Sequence, residues 1–306
     1  MDKSGKNELS TDRLMTLIDE FTAAGCLFML ISGGEPLMRK DFEHIYRHMK
    51  SKGLLVTLFT NGTLVNEGVI ELFEELPPQA VEISLYGATP KTYERITGVK
   101  GSYKRCLRGV ENLLKHKIHI RLKTVLMTLN RDELSDMERI AKDLGVKFRF
   151  DAALFPRFNG DTTPLALRVP PDEAVEMELS DAERFRNFRE YFRKNRKSHI
   201  SDSLYVCSAG ITNFHIDPYG NLQPCLMTSD IRYDLSSGNF LTGWNDVMPG
   251  IMEKKVPEGY TCNACEKQIL CGFCPAVFKM ENGSEYVRSE YLCSMGRHRY
   301  HMILYN

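Results

Sequence analysis

The stretch from Cys26 to Leu37, CLFMLISGGEPL, joins two opposed signals. CLFMLIS (26–32) is an almost unbroken apolar run, which suits a strand buried on both faces in a parallel sheet. It stops abruptly in Gly33, Gly34, Glu35 and Pro36. Glycines let a ligand approach the backbone and offer it N–H groups. An acidic residue between Gly-Gly and Pro is a poor generic turn. In parallel α/β folds the C-terminal ends of strands carry the site, so Glu35 is a candidate acceptor for a ligand ammonium.

The same rhythm continues outward. Leu14, Leu17, Ile18 and Phe21 fall at helical spacing ahead of Gly25, and Phe42, Ile45, Tyr46 and Met49 mark a second helix ending near Gly53. LLVTLFT (54–60), AVEISLY (80–86), HIRLKTVLM (119–127) and VKFRFDAAL (146–154) read as strands, and 66–76, 102–116 and 131–144 as helices. Five strands, each preceded by a helix, predict a parallel α/β sheet or a partial (β/α) barrel. The first element is a helix with no strand before it, as if the first βα unit were missing. Thr60, Asn61 and Gly62 follow the second strand, and Ser84 and Gly87 the third. Asn61–Gly62 alone reads as an ordinary turn. Residues 155–170 read as loop and 171–196 as charged helix. The chain thus divides into a partial barrel (1–154), a bridge (155–200) and a cysteine-rich region (201–306).

Among 306 residues, Lys+Arg and Asp+Glu both total 40, so no overall field favours nucleic acid. No apolar run is long enough to span a membrane. The opening MDKSGKNELSTDR is polar and lacks the apolar core of a signal peptide. The expected location is the cytoplasm, where cysteines are metal ligands or plain thiols rather than disulfides. Cys26 and Cys106 read as small buried residues. His44 and His48, four apart on a helix, read as a solvated face rather than a metal site. Cys207 and Cys225 flank IDPYGNL, a hairpin signature with Gly220 in its turn. CNACEKQILCGFC then gives C-x2-C-x5-C-x2-C through Cys262, Cys265, Cys271 and Cys274, and Cys293 follows. Such pairs put two thiolates on one metal centre, and the spacing alone suits structural zinc as well as an iron–sulfur cluster.

ISGGEPL, TNGTLV, ISLYGATPKTYERITGVKGSY and the cysteine-rich tail, in that order, resemble the radical S-adenosylmethionine (radical SAM) enzymes with a C-terminal SPASM domain. The resemblance implies a (β/α) TIM-type barrel followed by an iron–sulfur domain. It implies that Gly33, Gly34, Glu35 and Pro36 hold the methionine amino group of S-adenosylmethionine. Ser84 would face the same cofactor, and Arg95 would approach its carboxylate. Cys262, Cys265, Cys271 and Cys293 would ligate one auxiliary [4Fe–4S] cluster, and Cys207, Cys225 and Cys274 another. Relatives of this kind modify ribosomal peptides or protein side chains and draw electrons from a flavodoxin or ferredoxin.

The sequence departs from the family's pattern in three places. Only Gly272 and Phe273 separate Cys271 from Cys274, where three residues are usual. SDSLYV (201–206) lacks a cysteine found ahead of the first in some relatives, which leaves the cluster at Cys207, Cys225 and Cys274 with an open or non-cysteine ligand, or unformed. The C-x3-C-x-x-C that holds the SAM-cleaving cluster is absent, in the place where the first βα unit is missing. The 306 residues as written are therefore expected to be inactive in SAM cleavage. The rival expectations are a non-catalytic iron–sulfur module for binding or electron transfer, and a zinc-stabilised binding protein.

Overall fold

A computed structural model describes residues 7–196, 201–228 and 230–305. The chain divides into two compact units. The first comprises residues 1–151 with two later segments, Pro218–Gly220 and Leu235–Leu241. Its elements are α1 (Thr11–Ala23), β1 (Phe28–Ile31), α2 (Phe42–Ser51), β2 (Leu55–Thr60), α3 (Glu67–Glu75), β3 (Ala80–Ser84), α4 (Pro90–Thr97), α5 (Ser102–Lys115), β4 (Ile120–Val125), α6 (Leu134–Asp143) and β5 (Lys147–Asp151). Local chemistry sets several of these boundaries. Side chains of Ser10, Asn66 and Thr89 accept hydrogen bonds from the first turns of α1, α3 and α4, and Gly98 ends α4 in the left-handed conformation.

The five strands pair in parallel in the order β1-β2-β3-β4-β5. Right-handed connections between sequential parallel strands place every crossover helix on one face. The register separates the two faces. Val56, Leu58, Val81, Ile83, Ile120 and Leu122 are buried toward the helices. The opposite face carries Phe28, Leu30, Leu55, Phe59, Glu82, Ser84, Arg121, Lys123, Arg149 and Asp151, several of them exposed. Leu17, Ile18 and Phe21 of α1 and Phe42, Ile45, Tyr46 and Met49 of α2 are buried. The later segments complete this unit: Arg13 of α1 donates to the carbonyls of Leu235 and Gly238, and Glu20 accepts from the Phe240 N–H.

The second unit comprises residues 152–217, 221–234 and 242–306. The elements after β5 are α7 (Pro171–Leu179), α8 (Ala182–Asn195), β6 (His215–Ile216), β7 (Asn221–Gln223), β8 (Tyr233–Asp234), α9 (Phe240–Asp246), α10 (Pro249–Met252), α11 (Gln268–Cys271), α12 (Pro275–Asn282) and α13 (Glu290–Tyr305). The hairpin expected around IDPYGNL is present as antiparallel β6 and β7, with Gly220 at φ 89° in its turn. The long α13 packs on α7 and α11. Arg299 anchors it, pairing with Glu178 at 2.6 Å and donating to the Leu270 carbonyl at 2.7 Å. Among the described residues, no helix is long and apolar enough to cross a membrane.

Candidate functional sites

Glu35 starts a short 3-10 turn, Pro36–Met38, directly after the glycines that follow β1. One carboxylate oxygen accepts from the Thr60 hydroxyl at 2.7 Å and the Leu37 N–H at 3.2 Å, and the other from the Asn61 N–H at 2.7 Å. Glu35 thus ties the loop after β1 to the end of β2. Gly33 has φ 148°, which disfavours any side chain, and nothing stands within 4 Å of a methyl added there or at Gly34. Asn61 does form a turn, as its oxygen accepts from the Thr63 N–H and hydroxyl, but its own N–H serves Glu35.

Ser84 ends β3. The Tyr93 hydroxyl faces its carbonyl at 3.4 Å. Burial, then the neighbouring Cys106, Tyr86 and Glu35, push the Tyr93 hydroxyl pKa well above its ordinary value. Glu35 and Ser84 therefore share one locality around Tyr93. Arg95, near the end of α4, is exposed and stands apart from the Glu35 hydrogen bonds. Cys106 is fully buried, whereas Cys26 is only partly so. His48 pairs with Asp19 at 2.7 Å and His44 is exposed, so the two share no ligand.

Two residues that sequence reasoning missed brace the loops. Glu133 accepts from the N–H groups of Ala88 and Thr89 and from the hydroxyls of Thr89 and Thr92. Burial acts to raise its carboxyl pKa, but the bonds from Thr92, Thr89 and Ala88 outweigh it and hold the pKa below the ordinary value. The fully buried Asn130 donates to the carbonyls of Tyr86 and Val125 and accepts from the Met127 N–H. The sequence offered only a polar residue in the β4–α6 connection, and its contact with the Tyr86 loop is visible only in the tertiary structure.

In the second unit Cys262, Cys265, Cys271 and Cys293 line one cavity of about 260 Å³, with Gln268, Phe278 and Arg288. Burial, then the nearby Cys265, Cys293 and Cys262, push the Cys271 thiol up to about 12. The Cys274 thiol is also raised, by burial and by Cys225 and Cys207. The seven cysteines thus fall into two groups: the four around the cavity, and Cys207, Cys225 and Cys274. Yet among the described residues no three His, Cys, Asp or Glu side chains are placed to hold a single metal ion. The buried Tyr260 hydroxyl beside Cys262 lacks a hydrogen bond of good geometry. Gly296 of α13 brings its helix against Cys271, since a methyl there would lie 2.4 Å from the Cys271 Cβ.

Residues 2–144 match the Radical SAM superfamily. The AdoMet-dependent heme synthase of Methanosarcina barkeri is 26% identical over 307 residues, covering 94% of this chain and 87% of that protein. The PqqA peptide cyclase of Ruegeria pomeroyi is 27% identical over 224 residues, covering 71% of this chain and 59% of that protein. The crystal structure of Streptococcus suis SuiB bound to precursor peptide SuiA superposes with a TM-score of 0.74 at 18% identity, covering 94% of this chain and 70% of that one. At that identity the likeness is one of fold.

Proposed function

We propose that this chain is a radical SAM/SPASM-type protein that binds S-adenosylmethionine at the Glu35 loop, carries auxiliary [4Fe–4S] clusters on its later cysteines, and acts on a peptide or protein side chain. The observation that carries the cofactor reading is the bracing of Glu35. Its bonds to Thr60 and Asn61 fix the Gly33–Gly34 backbone at the strand ends, and the carboxylate oxygen that accepts only from the Asn61 N–H keeps a lone pair for an ammonium. Gly33, Gly34, Pro36, Ser84 and Arg95 complete the proposed site. The peptide substrate rests on the PqqA peptide cyclase relationship.

The residues fit a cluster: Cys262, Cys265, Cys271 and Cys293 line one cavity, a four-thiolate set that suits the corners of one cubane. The resemblance of the cysteine pattern to the SPASM domain is what favours iron–sulfur over zinc. The buried Tyr260 hydroxyl supplies a donor toward the Cys262 sulfur. Bound there, a cluster would supply electron transfer, with a flavodoxin or ferredoxin as donor. Cys207, Cys225 and Cys274 suit a second cluster with one open position. The SAM-cleaving cluster does not fit: no C-x3-C-x-x-C lies in the 306 residues, and Cys26 is a single thiol. Alone, the 306-residue chain is proposed to bind S-adenosylmethionine without cleaving it, which keeps a binding or electron-transfer module as the second reading.

Anaerobic reconstitution with iron and sulfide tests this. The protein should turn brown and hold iron and sulfide in equal amounts, less in Cys262→Ser and Cys293→Ser. Equilibrium dialysis should show S-adenosylmethionine binding that Glu35→Gln weakens by roughly ten-fold, the scale of a charged hydrogen bond. A colourless protein retaining zinc, with no cofactor binding, would sink the reading.

A further inference from the structure

The sheet face opposite the helices is divided by chemistry. On β1 and β2 it is apolar, and among the described residues Phe28 is 65% exposed, Leu30 50% and Leu55 44%. On β4 and β5 it is cationic. Arg121 and Lys123 share this face with Lys147 and Arg149 of the next strand. The acids facing them are Glu82 of β3 and Asp151 of β5. Glu82 is nearly buried and is claimed three times, by Arg149 at 2.9 Å, Arg121 at 3.6 Å and Lys123 at 3.9 Å. Arg149 also reaches Asp151 at 3.4 Å.

Lys123 is the most buried of these cations. Its amine lies beyond hydrogen-bond reach of Glu82 and sits 2.7 Å from the centre of the Phe59 ring. Its side chain is only 14% exposed. Burial pushes its pKa down to about 8; Glu82 and Asp151 act against that shift, and Arg149 adds to it. A buried cation without a full partner is costly, and a carboxylate arriving at this point would relieve it. The pairing of Ser84 with Lys123 sets the amine in the same row as the proposed cofactor site.

We propose that this face binds the acidic side chain of a peptide substrate, with Lys123 and Arg149 pairing the carboxylate and the Phe28–Leu30–Leu55 strip taking a neighbouring apolar residue. Charge complementarity selects the acid: four cations face two carboxylates here. The inference rests on the peptide-modifying reading and names which peptide.

The test uses the full 306-residue chain and two short, end-blocked peptides, Phe-Glu-Leu and its Phe-Gln-Leu twin, measured by calorimetry near pH 7. The wild-type chain should prefer the Glu peptide by roughly ten-fold. Lys123→Met should abolish the preference without weakening the Gln peptide, Lys123→Arg should keep it, and added salt should erode it. Thermal melts confirm that each variant folds. Equal binding of the two peptides, or binding of neither, overturns the proposal. So does Lys123-dependent binding of an iron porphyrin with free propionates in place of the peptide. Loss of S-adenosylmethionine binding in Lys123→Met with no Glu preference would assign the amine to the cofactor's own carboxylate, and also overturns it. S-adenosylmethionine dialysis against Glu35→Gln runs in parallel, so a failed cofactor site is told apart from a failed peptide site.

Discussion

Glu133 shows how much one carboxylate can organise. It holds four donors of the β3–α4 connection, the segment that leads from Ser84 toward Arg95. Its pKa is held below the ordinary glutamate value, so its contribution is present above that value and fades as pH falls through the lowered one. Glu133→Gln should cost about 1–2 kcal/mol near neutral pH. The gap from wild type should close in acid, where both side chains are neutral. Denaturant melts across that range read it directly, and a pH-independent gap would refute the charged role. Glu35 was legible in the sequence because its neighbours make it a poor turn residue. Glu133 and Lys123 were not. A lone charge in a helical or alternating pattern reads as solvated surface, and only tertiary structure shows what faces it.

At the scale of elements, periodicity located all five parallel strands and the helices before them, because a two-sided buried strand and an amphipathic helix leave different apolar spacings. The observed strands are shorter than the apolar runs, Phe28–Ile31 against 26–32, because ladder pairing ends where the loops turn toward the site. The cysteine spacing was equally plain. What brings the distant Cys293 to the others was not: Gly296 sits one helical turn later and lets α13 touch Cys271. A glycine inside a helix normally weakens it by about 1 kcal/mol relative to alanine, so Gly296→Ala would ordinarily stabilise. Here the added methyl would meet the Cys271 Cβ at 2.4 Å. The expected outcome is the reverse: a destabilisation of about 1–3 kcal/mol, the scale of an overpacked core, and less iron and sulfide per chain after reconstitution. An unchanged iron content would show that the cysteine cavity tolerates a wider helix spacing.

Over the whole molecule, the first unit takes in segments 218–220 and 235–241, which no local pattern could reveal. Their bonds are backbone carbonyls and N–H groups that any sequence would supply, received by Arg13 and Glu20 of α1. The sequence does speak to activity. In radical SAM enzymes reductive cleavage of S-adenosylmethionine needs three thiolates on one cluster, and within the first unit the 306 residues offer only Cys26, partly buried next to β1, and the fully buried Cys106. Burial raises both thiols above their ordinary pKa, which opposes the thiolate form a metal needs. The 306-residue chain, reconstituted anaerobically and given a strong reductant, should therefore bind S-adenosylmethionine and form no 5′-deoxyadenosine above background. A longer chain that carries a strand and C-x3-C-x-x-C ahead of residue 1 should form it, with Glu35→Gln lowering the yield. Chromatography of the quenched mixtures distinguishes the two cases, and robust 5′-deoxyadenosine from the 306 residues alone would mean that other ligands on this chain hold the cleaving cluster.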